Sequence, residues 1–394
     1  MELRCYMTLD HPNILAYVHH ELDSTEMRIY TEFCRLKDLE SLMDHPEFVP
    51  HVLCWDILEG LASALARCHY GLKVMRKNGA VCRYTGFEKE WRPILHRDIK
   101  PGNVLIATHD RTVIPKLGDF GTSFKLEEDG KPPSSLAGTR LYWAPEVKDQ
   151  LEDGRITTWS EETDIWGVGA VLYRVLTHSE LPRIPLRTRQ ERIRTIKNFI
   201  PQSTVTAPEV LASVISDCLD PSKTRRPSAL QLLAVVLKSD TSSQGLDRSE
   251  SFWRVIAMNP DPKLASSVVE YFVSKQLPLL AGKTMFGLLE TILIVSVAYK
   301  HCPRLIKRCH TVLCGNLIKD QDSELTGSTV FHMLAWLPRE EEEIMRLVFE
   351  DSRWPSSVEL SSLILHPNKA GFLPSAIAAF QCNKDLVLRL TKIE

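Results

Sequence analysis

Apolar positions along the chain fall into two periods. Val52, Trp55, Ile57, Leu58, Leu61, Leu65 and Cys68 recur at helical spacing, which predicts a long amphipathic helix over Phe48 to His69. Two shorter apolar runs, Leu15 to His19 and Met27 to Phe33, read as strands. Asp38-Leu39 opens a further helix with an acid suited to capping it. Met75 to Arg92 is basic, polar and glycine-containing, and predicts a surface loop. Helical patterning continues from Ile193 to Leu237. Ser239 to Ser251 is polar and reads as a linker. Apolar, helix-period segments then return between Phe252 and Glu394: Leu264 to Phe272, Phe286 to Tyr299, Val330 to Leu337, Glu341 to Phe349, Ala376 to Phe380 and Asp385 to Leu390. At 394 residues the chain is long enough for two or three domains.

Composition narrows the function classes. Hydrophobic residues make up 44%, charged residues 25%, and the formal net charge is -2. No bulk basic field points to nucleic acid or an anionic membrane. The ten cysteines contain no CxxC pair, so reduced thiols of the cytoplasm or nucleus are expected rather than a zinc or disulfide framework. The N-terminus has no apolar signal region, and Met285 to Tyr299 is short and carries Glu290, which predicts a buried helix rather than a membrane span. His301 and His332 read as core or surface histidines, not metal ligands.

The chemistry is concentrated in three motifs. Leu95-His96-Arg97-Asp98-Ile99-Lys100-Pro101-Gly102-Asn103-Val104-Leu105 comes first, then Asp119-Phe120-Gly121, then Ala144-Pro145-Glu146. In that order and separation they resemble the eukaryotic protein kinases. Lys100 within K-P-x-N resembles the serine/threonine branch. Lys116-Leu117-Gly118, Thr31-Glu32-Phe33-Cys34 and the insert before His96 resemble the NIMA-related kinases.

The resemblance implies an α+β protein-kinase-like fold over 1–238, with a mostly helical C-lobe and a truncated β N-lobe. A linker (239–251) and an α-helical region (252–394) follow. Gly327 to Ala335 with Glu343 to Phe349, and Asn368 to Ala379 with Asp385 to Leu390, resemble degenerate ankyrin repeats. An unclassified helical domain is the competing reading. In either case the region would bind a protein partner or pack on itself.

The resemblance also implies roles. Asp98 would orient a substrate hydroxyl, Lys100 would neutralise the transferring phosphoryl group, and Asn103 and Asp119 would hold Mg²⁺. The backbone at Glu32 and Cys34 would meet the adenine of ATP, with Leu105 beneath it, Thr31 as gatekeeper and Asp38 near the ribose. Phe120, His96, Tyr6 and Tyr17 would form a packed column. Thr139 would bridge Asp98 and Lys100, Glu146 would pair with Arg226, Asp164 would bond the backbone around His96, and Trp166 would be core. Ser134 and Ser135 are candidate phosphosites for Arg97.

Glu2, nine residues before His11-Pro12-Asn13-Ile14, takes the place of the αC glutamate, though physically it reads as an exposed, frayed terminal carboxylate. Neither G-x-G-x-x-G nor V-A-I-K occurs in the 394 residues, so the phosphate clamp is absent from them. Two readings result: a serine/threonine kinase acting on protein substrates, feeble as this chain alone, or a non-catalytic interaction protein working through its helical C-terminal region.

Overall fold

The helix predicted from the period-3.6 stripe is the backbone of the first unit. The computed structural model describes residues 2–239 except 24–25, 46–49, 110–111, 127–135, 153–158, 180, 182–187 and 201–207. Beyond 239 it describes scattered positions, chiefly between 248 and 271. Two compact units divide at Ser239/Asp240.

In chain order, α1 (Glu2–Thr8) leads to the antiparallel pair β1 (Tyr17–Leu22) and β2 (Met27–Thr31). Then come α2 (Leu39–Met43) and α3 (Pro50–Tyr70). The pair β3 (Leu72–Lys77) and β4 (Ala80–Phe87) follows, then β5 (Ile94–Leu95), β6 (Val104–His109), β7 (Thr112–Leu117) and β8 (Phe124–Lys125). The remainder is helical: α4 (Pro145–Glu152), α5 (Glu161–Thr177), α6 (Arg189–Lys197), α7 (Pro208–Cys218) and α8 (Ala229–Ser239). The strands pair antiparallel as β1-β2, β3-β4, β5-β8 and β6-β7.

Burial explains the arrangement. On α3, Cys54, Ile57, Leu58, Leu61, Leu65 and Cys68 are buried and pack against α5, α8 and β7. The α5 run Ile165 to Leu172 is buried on every side, which makes α5 the central helix of the unit. Two of its glycines allow close approach. A Cβ at Gly167 would stand 2.7 Å from Ile99 Cβ, ahead of β6, and one at Gly169 would stand 2.7 Å from Cys218 Cβ on α7.

The structure corrects the reading of Met75 to Arg92 as a loop. Most of it belongs to the β3-β4 hairpin, whose Leu72, Val81 and Tyr84 are buried. Asn78 and Gly79 make the turn with φ of 51° and 74°, the left-handed pair that two-residue hairpins favour. Register shifts at Lys73/Val74 and Met75/Arg76 break the two-residue alternation. Strand limits also move: the first begins at Tyr17 and runs to Leu22, and the second stops at Thr31.

Within the stretch read as a linker, Arg248, Ser249 and Ser251 are described, and they are helical. Met285 to Tyr299 and the ankyrin-like segments lie outside the described residues, apart from Leu373 to Ala376 and Val387. Among the described residues no helix is long and apolar enough to cross a membrane.

The α5–α7 contact yields a prediction. Gly169→Ala forces a methyl group into Cys218 and Leu219 and lowers stability by about 1–3 kcal/mol in urea unfolding. A midpoint unchanged from the parent chain would contradict the close packing.

Candidate active site

The catalytic-loop sequence is polar and buried at once, so its geometry depends on where each polar group finds a partner. Asp164, in the first turn of α5, supplies three bonds. Its Oδ2 accepts from the His96 amide at 2.9 Å and lies 3.0 Å from His69 Nε2, while Oδ1 accepts from the Arg97 amide at 2.9 Å. All of these groups are buried. Burial opposes charge on Asp164, yet the His69 bond and the neighbouring histidines hold its carboxyl below the ordinary range. Burial likewise opposes the His69 cation, and the Asp164 bond and charge raise it.

These anchors hold Arg97 in a left-handed conformation, φ 70°, which turns the chain sharply before Asp98. His96 is neutral, because burial lowers its pKa. Its Nε2 donates to the Gly118 carbonyl at 2.9 Å and its Nδ1 accepts the Asp98 amide at 3.3 Å.

Three donors meet the Asp98 carboxylate. Oδ1 accepts the Thr139 amide at 2.7 Å. Oδ2 accepts Lys100 Nζ at 2.8 Å and Asn103 Nδ2 at 3.1 Å. Lys100 also donates to Thr139 Oγ1 at 2.8 Å, and Asn103 Nδ2 to the Asp98 carbonyl at 2.8 Å. Burial works against the charge, but the Lys100 and Thr139 bonds keep the carboxyl below its usual pKa. Gly138 makes this contact feasible: it sits at φ 77°, and a Cβ there would stand 2.2 Å from the Arg97 carbonyl oxygen.

Asp119 is left-handed too, φ 58° and ψ 74°, with Oδ1 accepting the Gly121 amide at 3.2 Å. Its own amide donates to the Tyr6 hydroxyl at 2.9 Å. Phe120 is fully buried between two edge-on rings, Tyr6 at 5.3 Å and His96 at 4.8 Å. Tyr17, assigned to the same column, lies against His20, and its hydroxyl is 2.7 Å from His20 Nδ1.

Glu2 corrects the reading of a frayed terminal carboxylate. It begins α1, is half-buried, and lies beside Asp119 and Gly121. Burial and the Asp119 charge push its carboxyl above the ordinary range.

At the other end of the cleft, Glu32 Oε1 accepts the Ala16 amide at 2.7 Å and Lys116 Nζ at 2.8 Å. Cys34 is buried, which pushes its thiol up, and its carbonyl accepts the Lys37 amide at 3.0 Å. Thr31 ends β2, and Leu105 on β6 packs against Gly118. Asp38 caps α2 through Ser41, to its amide at 2.8 Å and its hydroxyl at 3.0 Å.

Farther out, Arg226 grips Glu146 with two bonds of 2.7 Å and lies 5.0 Å over the Trp166 ring. Arg97 Nε donates to the Thr122 carbonyl at 2.6 Å, and its guanidinium lies 5.7 Å from the rings of both Phe124 and Trp159. Ser134 and Ser135 lie outside the described residues.

Three contributors escaped the sequence reading. His69 signalled itself as a polar residue four places after Leu65 on the buried stripe of α3. Gly138 and Lys116 carry their roles only through tertiary contact.

The protein kinase domain model matches residues 1–236, and the chain belongs to that family. It is similar to the G2-specific protein kinases nim-1 of Neurospora crassa and nimA of Emericella nidulans, each 31% identical over 59% of this chain. It is also similar to the serine/threonine-protein kinase Nek2 of Mus musculus, 28% identical over 44% of this chain. The NIMA-related resemblance is therefore shown. The chain spans only 27%, 33% and 35% of those three relatives.

The buried pair sets a pH dependence. A raised His69 contributes stability that is full below its ordinary 6.5 and is lost as pH rises through its folded value. A lowered Asp164 contributes above its ordinary 3.8 and loses that contribution as pH falls through its folded value. The stability difference between the parent chain and His69→Gln is thus largest at about pH 4–6.5 and shrinks toward pH 9. Urea unfolding across that range measures it, and a pH-independent difference would contradict the ion pair.

Proposed function

We propose that the 1–239 unit transfers the γ-phosphate of ATP to a Ser or Thr hydroxyl of a protein substrate. The carrying observation is the Asp98 carboxylate, held by Lys100, Asn103 and Thr139 at 2.7–3.1 Å. Its lowered pKa keeps it ionised at neutral pH, so it serves as a positioned acceptor. A substrate hydroxyl binding there is aligned, and its proton is drawn off as the new O–P bond forms and the bond from the γ-phosphorus to the β–γ bridging oxygen breaks, with ADP leaving. Lys100, placed between Asp98 and Thr139, brings a cation to the same spot and offsets charge on the transferring group.

The residues fit a hard divalent cation. Asn103 spends its amide nitrogen on Asp98, which leaves its amide oxygen, and Asp119 offers carboxylate oxygens. Asn103 and Asp119 would hold Mg²⁺, which when bound supplies charge neutralisation for the phosphates. Glu32 and Cys34 border the strip whose backbone would take the adenine, with Leu105 beneath it. Arg97, near Thr122 and Phe124 at the start of the activation segment, would meet a phosphate carried by Ser134 or Ser135.

Among the described residues Cys5, Cys34, Cys54, Cys68, Cys82 and Cys218 are thiols rather than disulfides, which supports a reducing compartment, the cytoplasm or nucleus. Protein binding by 252–394 is supported by its apolar helix-period segments, and the ankyrin-like reading by the turn-glycine, first-helix and second-helix pattern that recurs at Gly327 to Phe349 and Asn368 to Leu390.

The test is phosphorylation of a generic Ser/Thr substrate by the purified 394-residue chain with ATP and Mg²⁺. Asp98→Asn reduces the rate by about 10²–10⁴-fold. Equal rates for the two proteins would remove Asp98 from the chemistry.

A further inference from the structure

Lys116 is a buried cation outside the catalytic loop, on β7 and three residues ahead of Asp119. Its ammonium donates to the Pro12 carbonyl at 2.8 Å and meets Glu32 Oε1 at 2.8 Å. That same Glu32 oxygen accepts the Ala16 amide at 2.7 Å. Nearby, Asn13 Nδ2 donates to the Pro115 carbonyl at 3.0 Å, and the backbone runs both ways between the strands: Leu117 N to Asn13 O at 2.8 Å and Leu15 N to Leu117 O at 2.9 Å.

Three segments converge on one ammonium: the turn between α1 and β1, the strip after β2, and the strand leading to Asp119. The Lys116 side chain is only 9% exposed, so its charge is poorly solvated and depends on these partners. Glu32 is 29% exposed and is less costly to leave alone. The bond therefore fixes the strip after β2 to β7, and with it the spacing between the two ends of the cleft.

We propose that Lys116 is a positioning residue for nucleotide binding, acting through Glu32 to hold the adenine-side strip at a set distance from Asp119. This rests on the nucleotide reading of the cleft given above. A preformed strip binds its ligand without an ordering cost at the moment of binding. The same cation that ties β7 to Pro12 also holds Glu32, so one side chain links the adenine-side strip to the strand that leads to Asp119. Lys116 touches neither nucleotide nor substrate in this scheme.

The test is a double-mutant cycle on the intact chain: Lys116→Met, Glu32→Gln and the pair together. A fluorescent ATP analogue is titrated in the presence of Mg²⁺, and melting temperature is recorded in parallel. Each single variant weakens nucleotide binding by about tenfold, and the double variant is no weaker than either single one. A merely structural Lys116 would lower the melting temperature and leave the dissociation constant where it was, and that result overturns the proposal. Additive losses in the double variant also overturn it, since the two residues would then act separately. A parent chain that binds no nucleotide refutes the reading of the cleft itself, whereas a binding parent with unchanged variants refutes only the role of Lys116.

Discussion

One carboxylate organises the site. Asp164 takes the His96 and Arg97 amides and the His69 ring, all in the interior. Two consecutive buried amides without an acceptor would be costly, and so would a buried carboxylate without donors. Each therefore requires the other. The left-handed Arg97 backbone is held by the two amide bonds to Asp164, and Asp98 beyond the bend accepts the Thr139 amide. The position of Asp98 thus depends on a residue it does not touch, while its charge is set by the Lys100 and Thr139 bonds.

From that anchor the rest of the site is laid down by contact. Gly138 lets the Thr139 amide reach Asp98, because no side chain fits against the Arg97 carbonyl. His96, fixed by Gly118 and the Asp98 amide, presents one ring edge to Phe120, and Phe120 meets Tyr6 on α1. The Tyr6 hydroxyl then accepts the Asp119 amide. Glu2, one helical turn before Tyr6, comes to rest beside Asp119 for the same reason. A chain of neutral aromatic and amide contacts thus joins Asp98 to Asp119.

Much of this was legible in the residues. The helical stripe on α3 was plain because a long buried helix repeats one pattern many times. Asp98, Lys100, Asn103 and Asp119 stood out because the motifs that hold them, in their order and separation, resemble those of the protein kinases. The hairpin of β3 and β4 was misread because two bulges erase its alternation, although the Asn78-Gly79 dipeptide announces a tight turn. Glu2 was misread because its burial comes from Gly121 and Asp119, more than a hundred residues away. His69 and Lys116 were seen as sequence features but not as partners, since only the folded chain brings His69 to Asp164 and Lys116 to Glu32. For 252–394 the residues show apolar helix-period segments.

The central claim is that Asp119 and Asn103 form a cation-dependent nucleotide site next to Asp98. Isothermal titration of the intact chain with a non-hydrolysable ATP analogue, with and without Mg²⁺, tests it most directly. The account predicts binding that requires Mg²⁺ and is lost in Asp119→Asn. Binding of equal strength without Mg²⁺, or undiminished in that variant, would contradict it.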